Sequence, residues 1–93
     1  MSWNYRVLRK DVDYDAETYQ IHSIHEVYYD EHGNIESWTT NAITLDGFES
    51  FRDGYESLKL IQKAFEKPVL IERTDENGKE YLEDIVVFNQ PQQ

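Results

Sequence analysis

The sequence predicts an α+β domain of two layers, an antiparallel sheet in the order β-β-β-α-β-β with one helix packed across one face. Three observations predict it. Two aromatic-rich, β-prone runs flank the polar turn Asp30-Glu31-His32-Gly33-Asn34, which reads as a β-hairpin with Gly33 supplying a positive φ. A stripe of apolar residues at helical spacing follows Ser50. Beyond it, a short β-prone run leads into Asn77-Gly78, the dipeptide of a second hairpin.

Each element has its own local reason. From Trp3 to Lys10, Trp3, Tyr5 and Val7 alternate with Asn4, Arg6 and Leu8, the period of a half-buried strand. Asp11 to Glu17 is strongly acidic and reads as a charged connection. Tyr19 to Asp30 is the second strand, with Tyr19, Ile21, Ser23, His25, Val27 and Tyr29 on one side and Gln20, His22, Ile24, Glu26, Tyr28 and Asp30 on the other. Both sides carry bulk, so this strand is either central with both faces covered or switches parity through a bulge near Ser23. Ile35 to Thr44 supplies the third strand, completing a three-stranded meander.

Ser50, with Asp53 three residues on, has the pattern of a helix N-cap. Phe51, Tyr55, Leu58, Ile61, Ala64 and Phe65 then form an apolar stripe of about four turns. Gly54 weakens this helix by about 1 kcal/mol relative to Ala. Pro68 closes the segment, and Lys59, Lys63 and Lys67 complement the dipole at its C-terminal end. Val69 to Arg73 and Glu80 to Phe88 are the last two strands, and Asn89 to Gln93, without an apolar residue, is expected to fray as a disordered tail after a single domain spanning 1–88.

Composition narrows the function classes. Ninety-three residues make one domain with little apolar surface to spare for a deep pocket. Nineteen acidic residues against nine basic ones give a net charge of −10, which argues against direct nucleic-acid binding because no basic stripe exists to displace counterions. Cysteine is absent, which excludes disulfides and thiolate metal sites. No long apolar run suggests a membrane span, and Met1 to Arg6 enters a strand pattern at once, leaving no room for a targeting segment. The expectation is a cytoplasmic protein.

No constellation reads as catalytic. Asp11, Asp13 and Asp15 resemble the start of a calcium loop, but Ala16 stands where that loop needs glycine and His22 where it needs a bidentate glutamate. His22, His25 and Glu26 invite a metal reading, yet on a strand the two histidines point to opposite faces. The serines lie in no nucleophile-elbow context, and four glycines build no phosphate loop. No metal or cofactor is expected. Seven tyrosines, four phenylalanines and two tryptophans exceed what a core under one helix hides, so some rings are expected at a protein interface.

Trp3-Asn4-Tyr5-Arg6-Val7, Ile24-His25-Glu26-Val27-Tyr28-Tyr29-Asp30, Gly33, Glu36-Ser37-Trp38-Thr39 and Lys67-Pro68-Val69-Leu70 resemble the pattern of a family of short, uncharacterised bacterial proteins. That family places Gly-Glu-Ser before its helix, whereas Gly47-Phe48-Glu49-Ser50 carries an added Phe48. The resemblance implies no activity and no site residue. The strand-strand-strand-helix order is also similar to that of HicB-type antitoxins, whose acidic domain covers a basic toxin.

The expected role is therefore a small non-enzymatic acidic protein-interaction module, a homodimer through its sheet, able to engage a basic protein partner. Tyr19, Tyr28, Tyr29 and Trp38 are the contact candidates, and Asp13, Asp15, Glu26 and Glu36 supply the field. The alternatives are an anti-defence inhibitor that imitates DNA and a small-ligand or metal-binding protein.

Overall fold

The computed structural model describes residues 2–84. It contains β1 (Ser2–Tyr14), β2 (Glu17–Tyr29), β3 (Ile35–Trp38), α1 (Phe51–Ala64), β4 (Leu70–Thr74) and β5 (Glu80–Asp84), forming an α+β fold with one five-stranded sheet in the order β3-β2-β1-β4-β5. The predicted continuation of β5 to Phe88 and the tail 89–93 lie outside the described residues.

The sheet is mixed, which corrects the expectation of a purely antiparallel one. β1, β2 and β3 form the predicted antiparallel meander, and β4 and β5 the predicted hairpin. The two units join through β1 and β4, which run parallel with Leu8 opposite Leu70 and Arg9 opposite Ile71. The physical reason is the helix. α1 spans about 21 Å at 1.5 Å per residue and carries the chain back along the sheet, so β4 re-enters in the direction of β1. A parallel neighbour requires such a crossover.

The acidic segment from Asp11 to Glu17 is not a loop. β1 continues to Tyr14, β2 begins at Glu17, and the reversal takes only Asp15 and Ala16, both with positive φ (52° and 66°). This is the backbone of a two-residue hairpin turn, made without the usual Asn-Gly. Register between β1 and β2 is unbroken from Ser2 opposite Tyr29 to Tyr14 opposite Glu17, so no bulge switches parity near Ser23. The irregularity lies instead between β2 and β3, at Tyr28/Tyr29, where Glu36 is the additional residue. β3 is also shorter than the predicted Ile35 to Thr44, although Thr39 N–H still donates to Glu26 O and Ile43 N–H to Ile24 O.

Both sheet faces are covered at the centre. Alternation places Val7, Ile24 and Ile71 on the helix side, where Val7 and Ile71 are buried together with Ile61 and Ala64 of α1. On the opposite face Leu8, Val27 and Leu70 form a second cluster, flanked by Tyr29, Ile35, Trp38 and Leu82. Arg6 is buried on this face too, its Nη1 donating to Tyr29 Oη and its Nη2 to Pro68 O, while Tyr29 O–H donates to Asn4 Oδ1. Its Nε has no partner among the described residues.

Candidate interaction surfaces

The eight contact candidates read from the sequence fall in four separate places. Asp13, Asp15 and Tyr19 lie on the distal part of the β1–β2 ribbon, where the only strand partners among the described residues are β1 and β2 themselves. There Asp13 accepts the Thr18 hydroxyl at 2.7 Å and Asp15 occupies the turn. Tyr29 and Trp38 flank the second apolar cluster and pack against it, partly buried. Glu36 is exposed at the β3 irregularity. Only Glu26 and Tyr28 meet, Tyr28 O–H donating to Glu26 Oε1 at 2.5 Å.

His22 and His25 do separate. His22 is exposed, whereas His25 is buried on the other face, its Nδ1 2.9 Å from Thr39 O and its Nε2 3.0 Å from Ser23 Oγ. A carbonyl oxygen only accepts, so Nδ1 carries the proton and Nε2 accepts from the serine. Nδ1 thereby holds the chain after β3 against β2, while Nε2 is used within β2 itself. Among the described residues no three His, Asp or Glu side chains converge on a point that could hold a metal ion.

Two surfaces were not singled out in the sequence. The first is the flank of α1. Ser50 caps the helix as expected, its Oγ accepting from Asp53 N–H at 3.1 Å. The apolar stripe, however, divides into two. Ile61 and Ala64 are buried with the half-buried Gly54 and Ser57, while Phe51, Tyr55, Leu58 and Phe65 are exposed. Spacings of three and four keep each set in line, so the helix presents its small residues to the sheet and its large ones sideways. Leu45 and Phe48 border the exposed set, and with Phe51, Gly54, Tyr55 and Leu58 they line an open apolar groove of about 610 Å³. Gly54 has a steric role here: a Cβ at this position would come within 3.0 Å of Phe48 Cδ2, so its absence makes the seat for the Phe48 ring.

The second surface is on the sheet beyond the reach of the groove. Trp3 is opposite Tyr28 and Tyr5 opposite Glu26, so the four side chains form a two-by-two array on the helix-side face. Trp3 and Tyr5 meet edge to face, with centroids 5.2 Å apart and planes at 79°. Burial, and secondarily the charge of Glu26, push the Tyr5 phenol up. The hydrogen bond to Glu26 does most to push up Tyr28, with burial and the Glu26 charge adding to it. Both phenols therefore keep their protons to higher pH than an ordinary tyrosine.

The described fold and these surfaces define an α+β chain with a mixed sheet and two exposed aromatic sites. No protein-family model, no curated protein and no solved structure matches it. No helix among the described residues is long and apolar enough to cross a membrane.

Proposed function

We propose that this chain is a non-enzymatic protein-contact module that pairs with a second copy of itself through the flank of α1. The observation that carries the reading is the groove side of the helix: Leu45, Phe48, Phe51, Tyr55 and Leu58 are 61%, 41%, 93%, 54% and 53% exposed on one continuous surface. At roughly 150–250 Å² per aromatic side chain, these exposed portions amount to about 500–600 Å². That is the upper end for a single patch on a monomer, and about two thirds of the ~800 Å² each partner buries in a standard interface. The surrounding polar residues supply the remainder as a rim.

Charge favours the same surface. Residues 49–67 hold four acidic and four basic side chains, so the helix layer is neutral and all ten net negative charges fall elsewhere. Two copies meeting helix to helix keep their acidic parts apart, whereas two meeting sheet to sheet oppose them. Glu49, Asp53 and Glu56 precede the helix midpoint and Lys59, Lys63 and Lys67 follow it, with Arg52 and Glu66 as exceptions. An antiparallel, two-fold arrangement therefore sets unlike ends and opposed macrodipoles against each other. This reading sets association on the helix in place of the sheet because Phe51, at 93%, is the most exposed of the large apolar side chains among the described residues.

Sedimentation equilibrium of the full chain and of Phe51→Asp tests this. The expected result is a concentration-dependent dimer that the substitution converts to monomer without loss of secondary structure. A wild-type chain that stays monomeric at its highest attainable concentration, or a Phe51→Asp dimer as strong as wild type, refutes it.

A further inference from the structure

We propose that Trp3, Tyr5, Glu26 and Tyr28 form a binding site for an arginine side chain of a basic protein partner. The inference rests on the reading of the chain as a protein-contact module, but it uses a surface other than the helix flank. It begins from register. Because Trp3 is opposite Tyr28 and Tyr5 opposite Glu26, three ring systems and one carboxylate occupy the four corners of a patch. Directly opposed residues in a sheet bring their Cβ atoms within about 5 Å, so a single cation placed over the patch meets all four.

The arrangement has the parts that cation recognition uses. Trp3 and Tyr5 stand nearly perpendicular, two walls of a corner, and Trp is the strongest of the ring partners for a cation. Tyr28 holds Glu26 among the rings through its hydroxyl, which engages Oε1 and leaves Oε2 for an incoming donor. Trp3 is 48% exposed, far from the burial of a core tryptophan, and so is accessible. Among the described residues Glu26 has no ion-pair partner: the pairs are Arg9–Asp11, Lys10–Glu72, His32–Glu31, Lys59–Glu56 and Arg73–Glu83. The one cation over a ring there is Lys59 above Tyr55, on the helix. The array thus presents an anion ringed by aromatic faces, with no cation of its own.

Three features select a guanidinium on a protein side chain. The site is a patch on a sheet, too open to enclose a small molecule but suited to a side chain carried by another surface. A planar guanidinium stacks on an aromatic face while directing N–H groups edgewise to a carboxylate, which a compact, strongly hydrated ammonium does less well. The charge of −10, concentrated outside the helix layer, draws a basic partner toward the sheet.

The experiment is a titration of the full chain, ¹⁵N-labelled, with a short arginine-rich peptide and with the same peptide carrying citrulline, followed through the two indole N–H signals. Trp38→Phe assigns them. The expected result is a saturable shift of the Trp3 signal with the arginine peptide and little change at Trp38. Citrulline for arginine and Glu26→Gln should each weaken binding on the order of tenfold. Glu26→Gln keeps an acceptor for Tyr28, and the dispersion of the remaining spectrum reports its folding. No shift at Trp3, an equal affinity for the citrulline peptide, or an undiminished affinity in Glu26→Gln overturns the proposal; a lysine peptide that binds as tightly overturns the choice of arginine. Repeating the titration on Phe51→Asp separates the two readings, because loss of the dimer leaves the Trp3 shift in place if the site is real.

Discussion

The two sides of α1 differ less in hydrophobicity than in size. The side toward the sheet carries Gly54, Ser57, Ile61 and Ala64, of which only Ile61 is large. The other side carries Phe51, Tyr55, Leu58 and Phe65, all exposed, the first three lining the groove. A helix laid close against a sheet needs small residues at the contact, since the spacing between layers is set by the side chains between them. The larger apolar residues are then left exposed at the flank. An apolar periodicity alone does not distinguish these two outcomes.

The contrast can be broken most strongly on its buried side. Ile61→Ala should cost about 2–5 kcal/mol in unfolding free energy, by lost transfer and by the cavity left beside Val7. Chemical denaturation measures it, and a cost below about 1 kcal/mol would mean that the helix is not held where Ile61 places it. Ala64→Leu inverts the test by adding bulk to a position with no exposed surface, and should destabilise by about 1–3 kcal/mol through overpacking. On the other side, Phe51→Asp should leave the stability of the monomer within about 0.5 kcal/mol, as for other surface positions, while abolishing self-association. A large loss of stability there would make Phe51 a core residue and remove the contrast. Gly54→Ala sits between the two sides: the helix-propensity gain of about 1 kcal/mol is set against displacement of the Phe48 ring, and the net change in thermal unfolding should be small.

The smallest effect belongs to the sheet and to alkaline pH. The folded-state pKa values of Tyr5 and Tyr28 lie above the ordinary 10.0. Above that value the unfolded chain loses phenol protons that the folded one retains, so the stabilisation is complete below pH 10.0 and is lost as pH rises through the folded values. Denaturation midpoints should therefore fall more steeply with alkaline pH in wild type than in Tyr28→Phe. Parallel slopes would show that the Glu26 hydrogen bond does not govern that limb.

The three hairpins show how unevenly a fold is written in its sequence. Asp30 to Asn34 and Asp75 to Lys79 are the same device. In each, the aspartate Oδ1 accepts two backbone N–H groups, from the second and fourth residues after it, and glycine takes a φ of 83°. The shared Asp-Glu-x-Gly pattern is visible in the sequence, and each turn could be read from its own residues. At the third hairpin, Asp15 and Ala16 adopt positive φ without glycine or asparagine, and the surrounding acidic residues conceal two paired strands. Here cross-strand register over thirteen residue pairs stabilises a turn that its own residues disfavour. Ala16→Gly should accordingly raise stability, by less than about 1 kcal/mol, since glycine enters that backbone region without a steric penalty.

Glu26 and Tyr28 were singled out in the sequence as contact candidates, whereas their neighbours Trp3 and Tyr5 were not. The alternation of β1 put those two on one face; only the pairing of Ser2 with Tyr29 set them across from Tyr28 and Glu26. A shift of one residue would have sent all four to different neighbours.

What the sequence determined by itself were the features that depend on a few adjacent residues: alternation in the strands, the Ser50 cap, and the turns at Gly33 and Gly78. These follow from backbone sterics and local hydrogen bonds. Tertiary structure decided where β4 docks, which side of α1 is buried, and which rings surround Glu26. Each is a choice between distant segments that compete for the same surface, and close packing resolves it only when the whole chain is assembled.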